Sequence, residues 1–281
     1  MARLTVLPDT EALANAAAGR IASLIEAATV ARGAAVLALA GGNTPEPVYQ
    51  RLADSAPPWR ARIDWLRVHL YWSDERNVPP DHPDSNFGLA NRTLIQRVPI
   101  PAPQVHRMRG ELQAVDAARE YDALLRARRS ATQGSLFDVM LLGIGADAHI
   151  ASMFPESPLL NMCAVPDVCG ADPFLGRRSG EAAKAAGPEC ELERPDTVEH
   201  SWAAGIWVRQ LNQWRITLTP PSLLDSNAII VLAAGSSKAD AIAAAINGDL
   251  DVARYPAQLL RDAGDRVEWI VDAAAARLVS L

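Results

Sequence analysis

In the run Gly143-Ile144-Gly145-Ala146-Asp147-Ala148-His149 a histidine follows an aspartate by two positions, just past an apolar stretch. An imidazole titrates near neutral pH and serves as a general base, and a carboxylate beside it orients the ring or raises its basicity. A lone histidine is also a common structural residue; its place at a glycine-rich break marks it for chemistry. A second group is Gly41-Gly42-Asn43-Thr44-Pro45, whose glycines let the backbone approach a ligand and whose proline suits the first turn of a helix. Amides that precede a helix N-terminus cradle phosphate, although a plain Gly-Gly-Asn turn would read the same. The run lacks both the Gly-Lys-Ser/Thr of a Walker loop and the GxGxxG dinucleotide fingerprint. Third come Asp74, Glu75 and Arg76. Arginine there can grip an anion through a forked pair of hydrogen bonds, or the three charges can form a solvated turn. Last, Gly235-Ser236-Ser237-Lys238 opens a helical segment. Ser236 or Ser237 can cap it, and Lys238 in the first turn opposes the helix dipole unless an anion binds there.

Each group follows a short apolar run that reads as a strand: Ala34–Ala40, Leu66–Trp72, Phe137–Leu142 and Ala228–Ala233. Trp214–Thr219 and Val267–Val271 complete the set. Between them lie helical spacings. Asp9 or Thr10 caps the first, Leu13, Ala17, Ile21, Leu24, Ile25 and Ala28 form its apolar face, and Gly33 ends it. Asn86–Arg97 and Ala114–Arg129 follow the same period. Strands alternating with helices imply parallel pairing and a layered, Rossmann-like α/β fold: a parallel sheet flanked by helices. In such a sheet ligands bind beyond the carboxyl ends of the strands, where these polar loops fall. Residues 1–281 read as one domain. The stretch 166–205 holds no period and reads as an irregular insertion or lid.

Composition removes several classes of function. With 27 Lys+Arg against 33 Asp+Glu the net charge is -6, which argues against a nucleic-acid partner. Of those basic residues only Lys184 and Lys238 are lysines. No apolar stretch reaches the ~18 residues of a membrane span, and the first residues lack the pattern of a secretory signal. Three cysteines are too few for a disulfide framework, so a reduced, cytoplasmic protein is expected.

Taken together, LAGGNTP at 39–45, WSDERNVPPDHPDSNFG at 72–88, FDVMLLGIGADAHIASMFP at 137–155, RITLT at 215–219 and AAGSSK at 233–238 resemble the 6-phosphogluconolactonase family. They occur in that family's order and, with flanking helices, cover nearly the whole chain outside the insertion. The resemblance implies hydrolysis of 6-phosphogluconolactone to 6-phosphogluconate, a step of the pentose phosphate pathway, without metal or cofactor. It implies His149 as general base, Asp147 orienting its ring, and backbone amides near Gly143–Gly145 or Gly41–Gly42 stabilising the oxyanion. Gly41, Gly42, Asn43, Thr44, Asp74, Arg76, Arg215 and Lys238 would bind the substrate and its phosphate. The expected partner is therefore a small phosphosugar lactone, with neither nucleic acid nor membrane.

Glucosamine-6-phosphate deaminase shares the wider superfamily, and Ile150 is closer to that enzyme than to the lactonases, which usually carry threonine there. Arg76, Ser85-Asn86-Phe87 and Ser152-Met153-Phe154-Pro155 match the lactonases instead. A non-catalytic sugar-phosphate-binding module is a third reading, because Ala148 stands where the family usually has glycine. If that backbone needs positive φ, alanine adds about 1 kcal/mol of strain. Ala40 and Asn43 likewise replace the family's usual serines. Between Pro155 and Arg215, Cys163, Cys169 and Cys190 with His200 suggest a zinc site, but no C-x2-C pair is present and free thiols are the preferred reading.

Overall fold

Asp9 starts the first helix as its spacing predicts: its carboxylate accepts the amide of Ala12, and Gly33 ends the helix in the left-handed region at φ 79°. The computed structural model describes residues 2–56, 58–132, 134–161 and 201–280. Most of the expected insertion, with Cys169, Lys184, Cys190 and His200, lies outside the described residues, as does Cys163 before it. Those described form β1 (Arg3–Leu7), α1 (Thr10–Arg32), β2 (Ala35–Leu39), α2 (Pro45–Ala53), α3 (Trp59–Arg62), β3 (Val68–Trp72), β4 (Asp74–Arg76), α4 (Asn86–Thr93), α5 (Ala114–Ala131), β5 (Phe137–Gly143), β6 (Ala203–Val208), β7 (Gln213–Leu218), α6 (Pro220–Leu224), β8 (Ser226–Ala233), α7 (Ala239–Asn247), β9 (Val267–Asp272) and α8 (Ala273–Ala276).

Among the described residues, a six-stranded sheet has the order β1-β9-β8-β5-β2-β3, and every pairing in it is parallel. The expected layered α/β architecture follows from how its strands divide their side chains. In β2, Ala35, Leu37 and Leu39 enter the core beneath α1 and α2, whereas Val36 and Ala38 enter the core beneath α5 and α7. Both faces are covered, so the strands read as continuous apolar runs. Small residues on α1 (Ala14, Ala17, Ala18 and Ala22, all buried) let it lie close to the sheet. No helix among the described residues is long and apolar enough to cross a membrane.

Four expectations are corrected. The 214–219 strand does not join the parallel sheet. As β7 it pairs antiparallel with β4 and β6 in a separate three-stranded sheet, because Arg209–Leu211 and Asn212 at φ 51° fold β6 back onto it as a hairpin. Asp74–Arg76 is the strand β4 rather than a charged loop, held by that same pairing. Ala203–Gly205, read as part of the patternless stretch, opens β6. The edge strand β1 has no counterpart in the sequence reading and gains its order from pairing with β9. Buried Ser73 joins the two sheets: its amide donates to Leu39 O at 2.8 Å, and its carbonyl accepts from Leu218 N at 2.8 Å.

Leu37 lies at the centre of β2 with no exposed surface. Leu37→Ala is expected to lower stability by about 3 kcal/mol through lost burial and the cavity left behind. Urea unfolding should show a lower midpoint at an unchanged slope.

Candidate active site

The parallel strands β2, β5 and β8 release the chain at their carboxyl ends into Gly41–Pro45, Ile144–His149 and Ala234–Lys238, and β4 and β7 approach from the side. These segments enclose a cavity of about 510 Å³. Gly41, Gly42, Asn43, Thr44, Asp74, Arg76, His149, Arg215 and Lys238 all line it. Asp147 stands behind His149, so the structure brings together every site residue the sequence singled out.

His149 is fixed from two directions. Its Nδ1 lies 2.6 Å from Asp147 Oδ1, and the Phe154 ring stacks on it at 4.1 Å between centroids. An ionised carboxylate only accepts hydrogen bonds, so in the neutral ring Nδ1 carries the proton and Nε2 is left as the base. Burial acts to raise the Asp147 carboxyl, but hydrogen bonds from the His149 side chain and amide outweigh it and hold the group below its ordinary range. The tight turn beneath the pair needs Gly145, where a Cβ would overlap both the imidazole and the Asp147 carboxylate. Ala148 adopts φ 64°, the left-handed conformation that favours glycine, and is wholly buried. It is held there by its amide on Gly145 O at 3.1 Å and its carbonyl on Ala257 N at 2.9 Å. Replacement of glycine by alanine therefore leaves the His149–Asp147 contact formed. Gly145 N donates to His149 O at 2.8 Å, so that amide is already engaged, and an oxyanion would be met from the Gly41–Gly42 side.

Arg76 and Arg215 are directly opposite each other across β4 and β7. Like charges so placed repel, and neither forms an ion pair among the described residues. Arg76 Nη1 donates to Asp84 O at 2.9 Å, and Arg215 Nη1 donates to Gln213 Oε1 at 2.7 Å. Arg76 Nε is buried without a hydrogen-bond partner. Burial, followed by the Arg76 charge, depresses the Arg215 guanidinium. A dianion between them would remove the repulsion. The Gly41–Thr44 turn faces the same space, and Pro45 begins α2 as expected. Gly42 at φ 96° makes its sharp bend. Tyr49 steadies its root by accepting Ala40 N at 3.0 Å and donating to Ala40 O at 2.6 Å.

Strand alternation separates the three adjacent charges. Asp74 and Arg76 line the cavity, while Glu75 points away and accepts Arg76 N, Asn86 N and Phe87 N at 2.7–2.8 Å and Ser85 Oγ at 3.2 Å. Burial pushes the Glu75 carboxyl up to about 7 against the pull of those amides. Glu75 thus anchors the start of α4, a role hidden in the sequence because an acidic triplet does not reveal which member turns inward. Asp74 accepts Ser152 Oγ at 2.7 Å and Asn86 Nδ2 at 3.1 Å. Asn86 also fills the space where a Cβ on Gly41 would project. Both residues lay within the matched segments without an assigned part. One local reading is corrected: Ser236 and Ser237 cap nothing. They and Lys238 form a 3-10 turn, and Lys238 occupies the position before α7 with no side-chain cap bond.

Residues 8–173 and 191–269 match the family described as glucosamine-6-phosphate isomerases/6-phosphogluconolactonase. The 6-phosphogluconolactonase of Mycobacterium tuberculosis is 34% identical over 87% of this chain and 86% of its own length. That of Nostoc sp. is 30% identical over 98% of each. A solved structure of 6-phosphogluconolactonase from Trypanosoma brucei, 23% identical, superposes with a TM-score of 0.74 over 100% of this chain and 99% of its own.

His149→Ala removes the side-chain hydrogen bond and charge that depress Asp147 but keeps the backbone amide of residue 149, so the carboxyl should rise from its lowered position toward its ordinary value of about 3.9. Carboxyl-carbon NMR across an acid titration reads both. In the native protein the pair's contribution to stability is present above that ordinary value and is lost as pH falls through the lower, folded one.

Proposed function

The chain belongs to the glucosamine-6-phosphate isomerase/6-phosphogluconolactonase family, and we propose that His149 is the general base with which it hydrolyses 6-phospho-D-glucono-1,5-lactone. The lactone carries an electrophilic carbonyl at one end and a phosphate at the other, and the cavity offers a base and a cationic cradle to match. The observation that carries this reading is the convergence of the His149–Asp147 pair with the opposed Arg76 and Arg215 in one cavity.

His149 Nε2 takes a proton from water as the oxygen attacks C1, with Asp147 steadying the imidazolium through Nδ1. Charge moves to the carbonyl oxygen, which the amides at Gly41–Gly42 in the cavity lining stabilise. Collapse breaks the bond from C1 to the ring oxygen, and His149 returns its proton to that oxygen, giving 6-phosphogluconate. The phosphate lies between Arg76 and Arg215, with the amides of the Gly41–Thr44 turn and Lys238 completing its shell. Hydrogen bonds to the sugar hydroxyls fall to Asp74, whose carboxylate lies in the wall. Three cysteines, too few for a disulfide framework, suit the cytoplasm.

The family description also covers isomerases, which must shuttle a proton between sugar carbons and need a free base to do so. Asp74 is poorly placed for that work, because Ser152 Oγ occupies Oδ2 and Asn86 Nδ2 occupies Oδ1. Pure protein should therefore consume the lactone faster than its spontaneous hydrolysis and release no ammonia from glucosamine 6-phosphate. His149→Ala is expected to cost about 100-fold or more in kcat, the scale of lost general-base catalysis. A wild-type rate equal to the spontaneous one would overturn the assignment; an unaffected His149→Ala would overturn only the base. Arg215→Ala should raise KM by about tenfold, the scale of one charge-assisted contact of about 1.5 kcal/mol, with a smaller change in kcat.

A further inference from the structure

Asp272 ends β9 and takes no part in the mechanism above. It is 5% exposed, and no cation pairs with it among the described residues. A buried carboxylate without a counter-charge is costly unless hydrogen bonds satisfy it. Here both oxygens accept the amide of Gly235 at 3.0 Å, Oδ1 also accepts Ala275 N at 2.8 Å, and Oδ2 accepts the Thr10 hydroxyl at 3.5 Å. One side chain therefore ties together the first turn of α1, the loop after β8 and the start of α8. Only the loop after β8 reaches the cavity. Gly235 takes φ 89°, its carbonyl accepts Lys238 N at 3.1 Å, and the turn so formed delivers Ser237 and Lys238 to the cavity wall.

We propose that Asp272 is a positioning residue for the substrate phosphate. By clamping the Gly235 amide it sets where the 235–238 turn enters the cavity and so where Lys238 meets the anion. The proposal rests on the reading of that turn as part of the phosphate cradle. Asp272 is too far back in the fold to line the cavity, so its effect passes through the turn. An asparagine of the same shape presents one acceptor oxygen and one NH2, and the NH2 cannot accept an N–H. It cannot hold Gly235 with two oxygens while also accepting Ala275 N.

The test measures kcat and KM for 6-phosphogluconolactone, and competitive inhibition by inorganic phosphate, in the wild type, Asp272→Asn, Lys238→Ala and the double variant. Asp272→Asn is expected to raise both KM and the phosphate Ki about tenfold with kcat within about twofold. In the Lys238→Ala background the same change should have little further effect, since both act on one contact. A fall in kcat with an unchanged phosphate Ki, or effects that multiply in the double variant, would overturn the proposal and leave Asp272 a packing residue. If instead Lys238→Ala leaves both KM and the phosphate Ki unchanged, the cradle reading fails, and Asp272 is then not its positioning residue. Should Asp272→Asn fail to fold, Gly235→Ala replaces it. Its methyl meets open space and strains only the φ of the clamped residue, so it should raise the same two constants.

Discussion

Two guanidinium groups facing each other across adjacent strands repel, and much of this site is built to hold Arg76 and Arg215 in that relation. Among the described residues no carboxylate forms an ion pair with either, although the charges of Asp74, Asp84 and Glu75 act on Arg215 in part against the burial and the Arg76 charge. Their partners are a backbone carbonyl for Arg76 and a side-chain amide for Arg215, groups that fix direction without cancelling charge. The small antiparallel sheet produces this relation, because register partners on adjacent strands place their side chains directly opposite at close range. Ser73 ties that sheet to the end of β2, and Glu75, buried behind it, ties β4 to the start of α4.

The basic half of the site works on a different constraint. A histidine can be oriented by an aspartate two residues earlier only if the chain turns tightly between them, and the turn runs through Gly145 and Ala148. At Ala148 a positive φ costs about 1 kcal/mol, while its buried methyl returns a similar amount through burial. That near balance gives a physical reason why alanine is tolerated where glycine would be easier. Strain of this kind persists where surrounding bonds over-determine the backbone, as the links to Gly145 and Ala257 do.

A net charge of -6 and an anionic ligand agree once charge is treated locally. The surface as a whole repels polyanions, whereas the cavity concentrates Arg76 and Arg215 from the paired strands β4 and β7 and Lys238 from the turn after β8. Of the two lysines, one lies outside the described residues and the other stands at the entrance to α7.

Local signals were legible without coordinates. Asp9 and Gly33 bounded α1, the run from Ala34 to Ala40 marked a doubly buried strand, and the glycine breaks after β2, β5 and β8 marked the ligand-binding edge. These follow from backbone geometry over a few residues, and the sequence by itself determined them. It also singled out His149, Asp147, Arg76, Arg215 and Lys238 from recognisable segments, and the fold brings these residues together. Tertiary structure decided what depends on partners distant in the chain: that β7 runs antiparallel beside β4, that Glu75 turns inward while its neighbours face the cavity, and that Asp272 reaches Gly235 across 37 residues. An apolar run specifies that a strand forms but carries no statement of direction or neighbour. A single acidic residue does not state which amide will claim it, so these relations arise only when the sheets close on one another.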